Sequence, residues 1–391
     1  MASALLGGIA VAAMIGCLII RFSALHARFS SDAPSVSPQK FHFHPRPRIG
    51  GIPVVIGSIA AVLLLRDDSV TAYEFAGVSL LCGVFAFAGG IAEDFTKLIG
   101  VRFRLLLTFI SATLGFFLLD ARIDVLAVPG LDWALQFTLV SFVFTVFAVG
   151  GFAQAINIVD GFNGLAGVVS LIFLGAIAYV AGQVGDQELM WSSLVLGASI
   201  LGVLLLNYPG GLIFLGDGGA YLIGFLIAEF AVLLVHRNTE VSPWFALALL
   251  SYPIVETVFS IYRKRVLRNQ SAGQPDGLHL HMLIHKRWLR RYRAGSTPSD
   301  VWANALTAPF LWILALLGAV PAVLFWDQTA VLEVVVVAFT SIYIWLYWRI
   351  VRFRAPKSLA LRRGLMRKSE IVVDVADSPG AARTKIREGV S

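Results

Sequence analysis

Eleven apolar runs, each about 17–25 residues long, occupy most of this chain and dictate what it can fold into. They cover residues 3–20, 49–65, 74–92, 103–119, 135–156, 164–181, 190–206, 218–235, 243–262, 302–325 and 329–350. A helix of that length crosses the hydrocarbon core of a bilayer. The expected fold is therefore all-α, a polytopic integral membrane protein with about 11 transmembrane helices. Breakers fill the gaps, among them Asp67-Asp68-Ser69, Pro129-Gly130 and Tyr208-Pro209-Gly210-Gly211. Composition agrees: 58% of the residues are apolar and 14% charged, too little charge to cover a soluble chain of 391 residues. The 36 glycines suit helices that pack closely in lipid. Cys17 and Cys82 both lie inside apolar runs, which implies core packing rather than a disulfide framework or a zinc site.

Lys and Arg set the orientation. Of 31 such residues, 28 fall in the gaps 21–48, 93–104 and 263–300 and in the segment 349–391. Only Arg66, Arg122 and Arg237 fall in the alternate gaps. The positive-inside rule then places the N-terminus outside and the C-terminus in the cytoplasm. It also accounts for the net charge of +7 without nucleic acid as a partner. The first run has Arg21 and Arg28 after it and no basic residue before it, so it is expected to stay as an uncleaved helix. Residues 1–350 form the expected transmembrane domain, and 351–391 a basic, mobile cytoplasmic tail suited to an anionic leaflet.

Every polar motif falls on the face assigned to the cytoplasm, in the segments 21–48, 93–102, 157–163, 207–217 and 263–300. Acids at the ends of membrane spans are costly to place, so function is the default reading. Glu93 and Asp94 close the third run and are followed by Lys97. Such a pair binds a divalent cation, removes a proton or attacks phosphorus, but it is also what a helix end running into water looks like. Asn157 and Asp160 stand one helical turn apart in Asn157-Ile158-Val159-Asp160-Gly161-Phe162-Asn163-Gly164, both offering oxygen to a hard cation. A simple turn explains Asp160-Gly161 and Asn163-Gly164, but not Asn157 inside an apolar run.

Asp217, in Gly216-Asp217-Gly218-Gly219, is either an ordinary N-cap or, beside the other acids, a metal ligand. Oxygen donors of this kind favour magnesium, with manganese as the alternative. The 263–300 loop carries His279, His281 and His285; no cysteine or carboxylate completes a zinc set, so phosphate contacts are the better reading. Trp288 to Arg293 read as a basic amphipathic stretch on the membrane surface. His44-Pro45-Arg46-Pro47-Arg48-Ile49-Gly50-Gly51 joins arginines suited to bidentate phosphate contacts with a Gly-Gly pair that loop charge alone does not explain. Glu229 and Glu256 lie within runs, outside any motif.

In this order, over residues 44–287, the motifs resemble the polyprenyl-phosphate N-acetylhexosamine-1-phosphate transferase family, more its WecA-like branch than the MraY-like one. The resemblance implies transfer of a sugar 1-phosphate, GlcNAc-1-phosphate or a related one, from a UDP-sugar to undecaprenyl phosphate, with magnesium and release of UMP. The place would be the bacterial inner membrane, and the product the first lipid-linked intermediate of a surface glycan; a homodimer is compatible with this. Carried over, Asp217 and Asn157 hold the metal, and Glu93 and Asp94 engage the lipid phosphate, these two acids and Asp217 being the catalytic set. Asp160 and Asn163 face the nucleotide, His279 and His281 the pyrophosphate or sugar, and Arg48, Lys97 and His285 the phosphates. Three positions depart from the family pattern: Glu93 replaces the first Asp of a pair, Asn163 the second Asp of its segment, and Met282 a further histidine.

The rival enzymes are the phospho-MurNAc-pentapeptide transferase of peptidoglycan synthesis and a phosphatidyl transferase using a cytidine nucleotide. A cation- or proton-coupled transporter is the rival from another class; it predicts acids near mid-span, whereas most here lie at cytoplasmic ends. The orientation itself is testable. Single cysteines placed at Ser69 and at Ala272 are expected to react with impermeant reagents from outside and inside respectively, and the reverse pattern removes the case for one cytoplasmic site.

Overall fold

The computed structural model describes residues 1–30, 46–267, 269, 277–289 and 298–352. His44, Pro45, Arg290 to Arg293 and the basic tail from 353 onward lie outside the described residues. Among the described residues all regular structure is helical, with no strand.

The first third of the chain forms α1 (Ala2–Arg21), α2 (Ser23–Ser30), α3 (Gly51–Leu65), α4 (Val70–Cys82), α5 (Val84–Thr96) and α6 (Val101–Leu118). The short α7 (Leu131–Leu135) leads into α8 (Thr138–Val159), α9 (Leu165–Gln183), α10 (Gln187–Asn207) and α11 (Gly216–Arg237). Then come α12 (Trp244–Leu249), α13 (Ser251–Tyr262), α14 (Leu280–Ile284), α15 (Pro298–Ala305), α16 (Ala308–Leu324) and α17 (Thr329–Val351).

Each of the eleven apolar runs is helical, but they are not equally long. Seven helices (α1, α6, α8, α9, α10, α11 and α17) have the length and apolarity to cross a membrane, and α4 with α5 makes an eighth, bent by 46°. The bend falls at Gly83, which lacks a side chain to hold the turn and whose added Cβ would meet Leu222 and Phe225. The 15 residues of α3 reach only about 22 Å at 1.5 Å per residue. The run 243–262 breaks at Leu250 into α12 and α13, and Pro253, with no N–H to give, sits in the first turn of the restarted helix. These are the helices of a multi-pass membrane protein. Its outer surface carries Leu6, Phe117, Leu139 and Val334, each more than 60% exposed, as lipid contact allows and water does not. Cys82 is buried in the core, whereas Cys17 is exposed, so the core role expected for both cysteines holds only for Cys82.

Helix α11 is the axis of the fold. It is 89% buried over its apolar window, against 17% for α17. Helices α3, α5, α6, α8 and α9 all pack on it. With lipid as solvent, helices associate through close packing rather than hydrophobic expulsion, so small residues mark the contacts. Gly90 of α5 lies against the backbone of Asp217, and Gly51 of α3 against that of Gly218 and Gly219. A Cβ added at Gly90 would sit 2.5 Å from the Asp217 carbonyl carbon and oxygen. Gly77 of α4, by contrast, has nothing within 4 Å of such a Cβ. Gly90→Ala is therefore expected to destabilise the detergent-solubilised protein by about 1–3 kcal/mol, read as a lower melting temperature. Gly77→Ala is expected not to lower it.

Candidate active site

The first amides of any helix lack intrahelical partners. In α11 they are buried, and the preceding residue, Leu215, provides no side-chain cap. The acceptors come from another helix. Asp94 of α5, 1% exposed, accepts from Asp217 N–H with Oδ1 at 3.0 Å and from Gly218 N–H with Oδ2 at 2.9 Å. Gly216 makes room for this: its φ is +75°, and a Cβ there would lie 2.6 Å from Asp94 Oδ2 and against the Arg48 carbonyl. The segment from Pro47 to Gly51 runs alongside. Phe214 N–H donates to the Pro47 carbonyl at 2.9 Å, Gly50 N–H to that of Phe214 at 2.9 Å, and Gly51 N–H to that of Leu215 at 2.8 Å. Gly50-Gly51 and Gly218-Gly219 thus meet at one helix start.

Asp217 is the second residue of α11, not its cap. Its carboxylate points instead between two guanidinium groups. Arg48 Nη2 donates to Oδ1 at 3.2 Å, and Arg104, from the first turn of α6, pairs with Oδ2. Arg104 also stacks over the Tyr221 ring, 5.6 Å from its centroid, and Tyr221 in turn donates to Gln154 Oε1 at 2.5 Å. Glu93 turns the other way: its Oε2 accepts from Ile99 N–H at 2.7 Å, closing the turn that Lys97 enters with φ +58°.

Asn157 and Asp160 occupy the last turn and the C-terminal cap of α8, both half-buried. Among the described residues neither side chain hydrogen-bonds to protein. Burial raises the Asp160 carboxyl to about 6, against the pull of the Arg48 guanidinium. Asn163 is buried and faces inward. Its N–H donates to Asn304 Oδ1 at 2.9 Å and its Nδ2 to the Pro209 carbonyl at 2.9 Å. Beside it, Gly164 N–H donates to Asn207 Oδ1 at 2.6 Å. These bonds brace the α8–α9 turn from behind.

The histidine loop packs on that same turn. His281 lies edge-on to the Phe162 ring at 5.7 Å, and His285 lies 5.0 Å from it while its Nδ1 bonds Thr307 Oγ1 at 3.0 Å. A Cβ on Gly161 would come 3.2 Å from His281 Nε2. His279 and Leu280 are tied to Glu256 of α13.

Two groupings result. Arg48, Asp94 and Asp217 meet at the start of α11, with Asp160 within electrostatic reach of Arg48 and Asp94. His281 and His285 pack on Phe162, two residues beyond Asp160, and His279 stacks on His281. Glu93 and Lys97 stand at the neighbouring end of α5. Arg104 and Glu256 hold members of these groups and were not assigned from sequence. Arg104 counted there only as loop charge, though a cation at the head of an apolar run was its signal; Glu256 was noticed without a partner.

Among the described residues no three His, Cys, Asp or Glu side chains converge as a metal cluster. Asn163 Oδ1 lacks a partner but is buried; the side-chain oxygens of Asn157 and Asp160, one helical turn apart, also accept no hydrogen bond from protein among the described residues. That donor set fits magnesium, which commonly takes one or two protein oxygens and completes its shell with phosphate and water. Asp217 reaches such an ion only by exchanging a guanidinium partner.

The profile of glycosyl transferase family 4 matches residues 76–235, which include the acidic pair, the α8–α9 turn and the start of α11. A Bacillus subtilis protein, described as a probable undecaprenyl-phosphate N-acetylglucosaminyl 1-phosphate transferase, is 30% identical over 251 residues, 64% of this chain and 68% of its own. An undecaprenyl-phosphate alpha-N-acetylglucosaminyl 1-phosphate transferase from Yersinia pestis is 28% identical over 349 residues, covering 83% and 87% of the two chains. Its namesake in Escherichia coli K12 is 28% identical over 250 residues, 61% and 65%. With the motifs, the helical fold and a relative matched over two thirds of its length in agreement, this chain belongs to glycosyl transferase family 4.

Proposed function

We propose that the protein transfers a sugar 1-phosphate, that of N-acetylglucosamine or a related N-acetylhexosamine, from a UDP-sugar to undecaprenyl phosphate. The place is the cytoplasmic face of a bacterial inner membrane, with the eleven runs as spans, and the product starts a surface glycan. The observation that carries this reading is the start of α11: Asp217 holds Arg48 and Arg104, with the Asp160 carboxylate within electrostatic reach of Arg48. Guanidinium groups and oxygen donors together suit two phosphate-bearing substrates that must approach closely. The names of the relatives support the acceptor and the sugar.

In the reaction proposed, an oxygen of the lipid phosphate attacks the β-phosphorus of the UDP-sugar. The bond from that phosphorus to the bridging oxygen breaks, and UMP leaves with the electron pair. A phosphate monoester has a second pKa near 6, so the attacking group is largely dianionic without a base. Neutralising charge matters more. Asn157 and Asp160 would hold magnesium, with Asp217 as a third candidate; when bound, the ion neutralises phosphate oxygens. Arg48 and Lys97 approach the phosphates, and His279 and His281 the pyrophosphate. Direct attack is favoured over a covalent enzyme intermediate because Asp94 has both oxygens on amides of α11 and Glu93 has one on Ile99.

Two measurements test this. Membranes containing the protein are expected to release UMP from UDP-GlcNAc when undecaprenyl phosphate and magnesium are supplied. In Asp217→Asn, which loses the charge between the arginines, turnover should fall on the order of a hundredfold, with a weaker response to magnesium. Near-normal turnover with an unchanged magnesium response would reduce Asp217 to a structural brace. Lipid-free enzyme with UDP-GlcNAc and magnesium alone should release no stoichiometric burst of UMP; a burst, with sugar phosphate retained on the protein, means a covalent route.

A further inference from the structure

Glu256 lies in α13, inside an apolar run, and is 1% exposed. Its Oε1 accepts from Leu280 N–H at 3.0 Å and lies 3.0 Å from His279 Nδ1. One carboxylate oxygen therefore serves both the start of α14 and the histidine that precedes it. An ionised carboxylate has no hydrogen to give, so the hydrogen of this contact belongs to Nδ1. The other ring nitrogen, Nε2, is on the far side of the imidazole from Glu256, with no protein hydrogen bond among the described residues.

The neighbouring ring differs. His281 stacks on His279 at 5.4 Å with the planes 2° apart, but it is fully buried and neither of its nitrogens has a partner. Burial lowers its pKa to about 3, which keeps it neutral. Of the two histidines in the motif, only His279 has an anion bonded behind it.

We propose that Glu256 is the positioning residue of the histidine loop: it fixes the hydrogen of His279 on Nδ1, and its charge backs an Nε2–H that donates to a phosphate oxygen of the nucleotide substrate. The second half rests on the reaction proposed above; the first does not. A ring bracketed by a carboxylate on one side and a phosphate on the other carries hydrogens on both nitrogens. This is the division of labour by which a buried acid orients and supports an imidazole that meets substrate. The same oxygen anchors Leu280, so orientation of the ring and placement of the loop are one interaction.

Glu256→Gln separates charge from shape. Because a single oxygen serves both donors, the amide must keep its own oxygen there, so loop and tautomer persist while the negative charge is lost. UMP binding by the purified full-length protein in detergent, measured by calorimetry with magnesium, is expected to weaken about tenfold or more. In a His279→Ala background the same substitution should add nothing, since Glu256 acts through that ring. An equal loss in both backgrounds, or none in either, overturns the proposal. The nitrogen-15 histidine spectrum needs no substrate. The resonances that vanish in His279→Ala should show hydrogen on Nδ1 in the wild type, and Glu256→Leu should move it to Nε2. A wild-type ring with hydrogen on Nε2 alone also overturns the proposal. Wild-type protein that neither binds UMP nor turns over UDP-GlcNAc overturns the reaction instead, and the spectrum still decides whether Glu256 sets the tautomer.

Discussion

The carboxylate of Asp94 on the first amides of α11 is the contact on which the rest of the site depends. A helix whose first turn is buried cannot leave its starting N–H groups to water, and an unsatisfied buried amide costs about 1–3 kcal/mol. The sequence around the start, Gly216-Asp217-Gly218-Gly219, has one side chain to offer, and that one is turned outward. Asp94 supplies both acceptors from α5, where a negative charge also meets the positive end of the helix dipole. Gly90, one turn earlier on α5, lets the two backbones close to the distance this requires. Joining α5 to α11 in this way frees Asp217 to face the arginines.

Charge balance follows. Around the start of α11 stand Asp94, Asp160 and Asp217, facing Arg48, Arg104 and the nearby Lys97. With Glu93 standing beside Lys97 and burial raising the Asp94 carboxyl to about 7, these groups leave little net positive charge for two phosphate groups brought together. On the proposed reading the site therefore needs a divalent cation to balance the substrates, and the arginines become available as Asp217 finds another partner. The arrangement resists emptiness rather than attracting phosphate strongly at rest, since each arginine is already paired. Cation and nucleotide are then expected to bind cooperatively, each removing the charge that opposes the other.

What was legible in the sequence is what depends on local pattern. Run length gave the helical class, and the order of the motifs gave the family. The acids at 93–94, 160 and 217 could be gathered because all fall at run ends on one assigned face. Two breaks in the helices were not read, although Gly83 and Pro253 stand in the sequence, because glycine and proline occur elsewhere without bending a span. Still less legible were pairings across long separations. Asp94 meets Gly218 across 124 residues, Arg104 meets Asp217 across 113, and Glu256 meets His279 across 23, and none has a spacing that a sequence pattern could reveal. Asn163, expected to face the nucleotide, gives its amide nitrogen to the Pro209 carbonyl, a pairing across 46 residues, and its Oδ1 has no hydrogen-bond partner among the described residues.

The position of Asp217 among the helices is set from both ends of α11. At the far end of α11, Arg237 donates to Glu188 Oε2 at 2.7 Å and pairs with Asp186 at 3.5 Å, both from the start of α10. His236 lies 3.1 Å from Asp124, in the loop after α6. Between the ends, the Glu229 carboxyl packs directly against Gly115 of α6, where any side chain would collide with it. A sliding motion of α11 along its axis would break the amide contacts of Asp94, part Arg237 from Glu188 and drive Glu229 off its glycine. These constraints come from three helices, α5 at the start of α11, α6 at its middle and α10 at its far end. Held at its start, middle and far end, the central helix keeps Asp217 in place against Arg48 and Arg104.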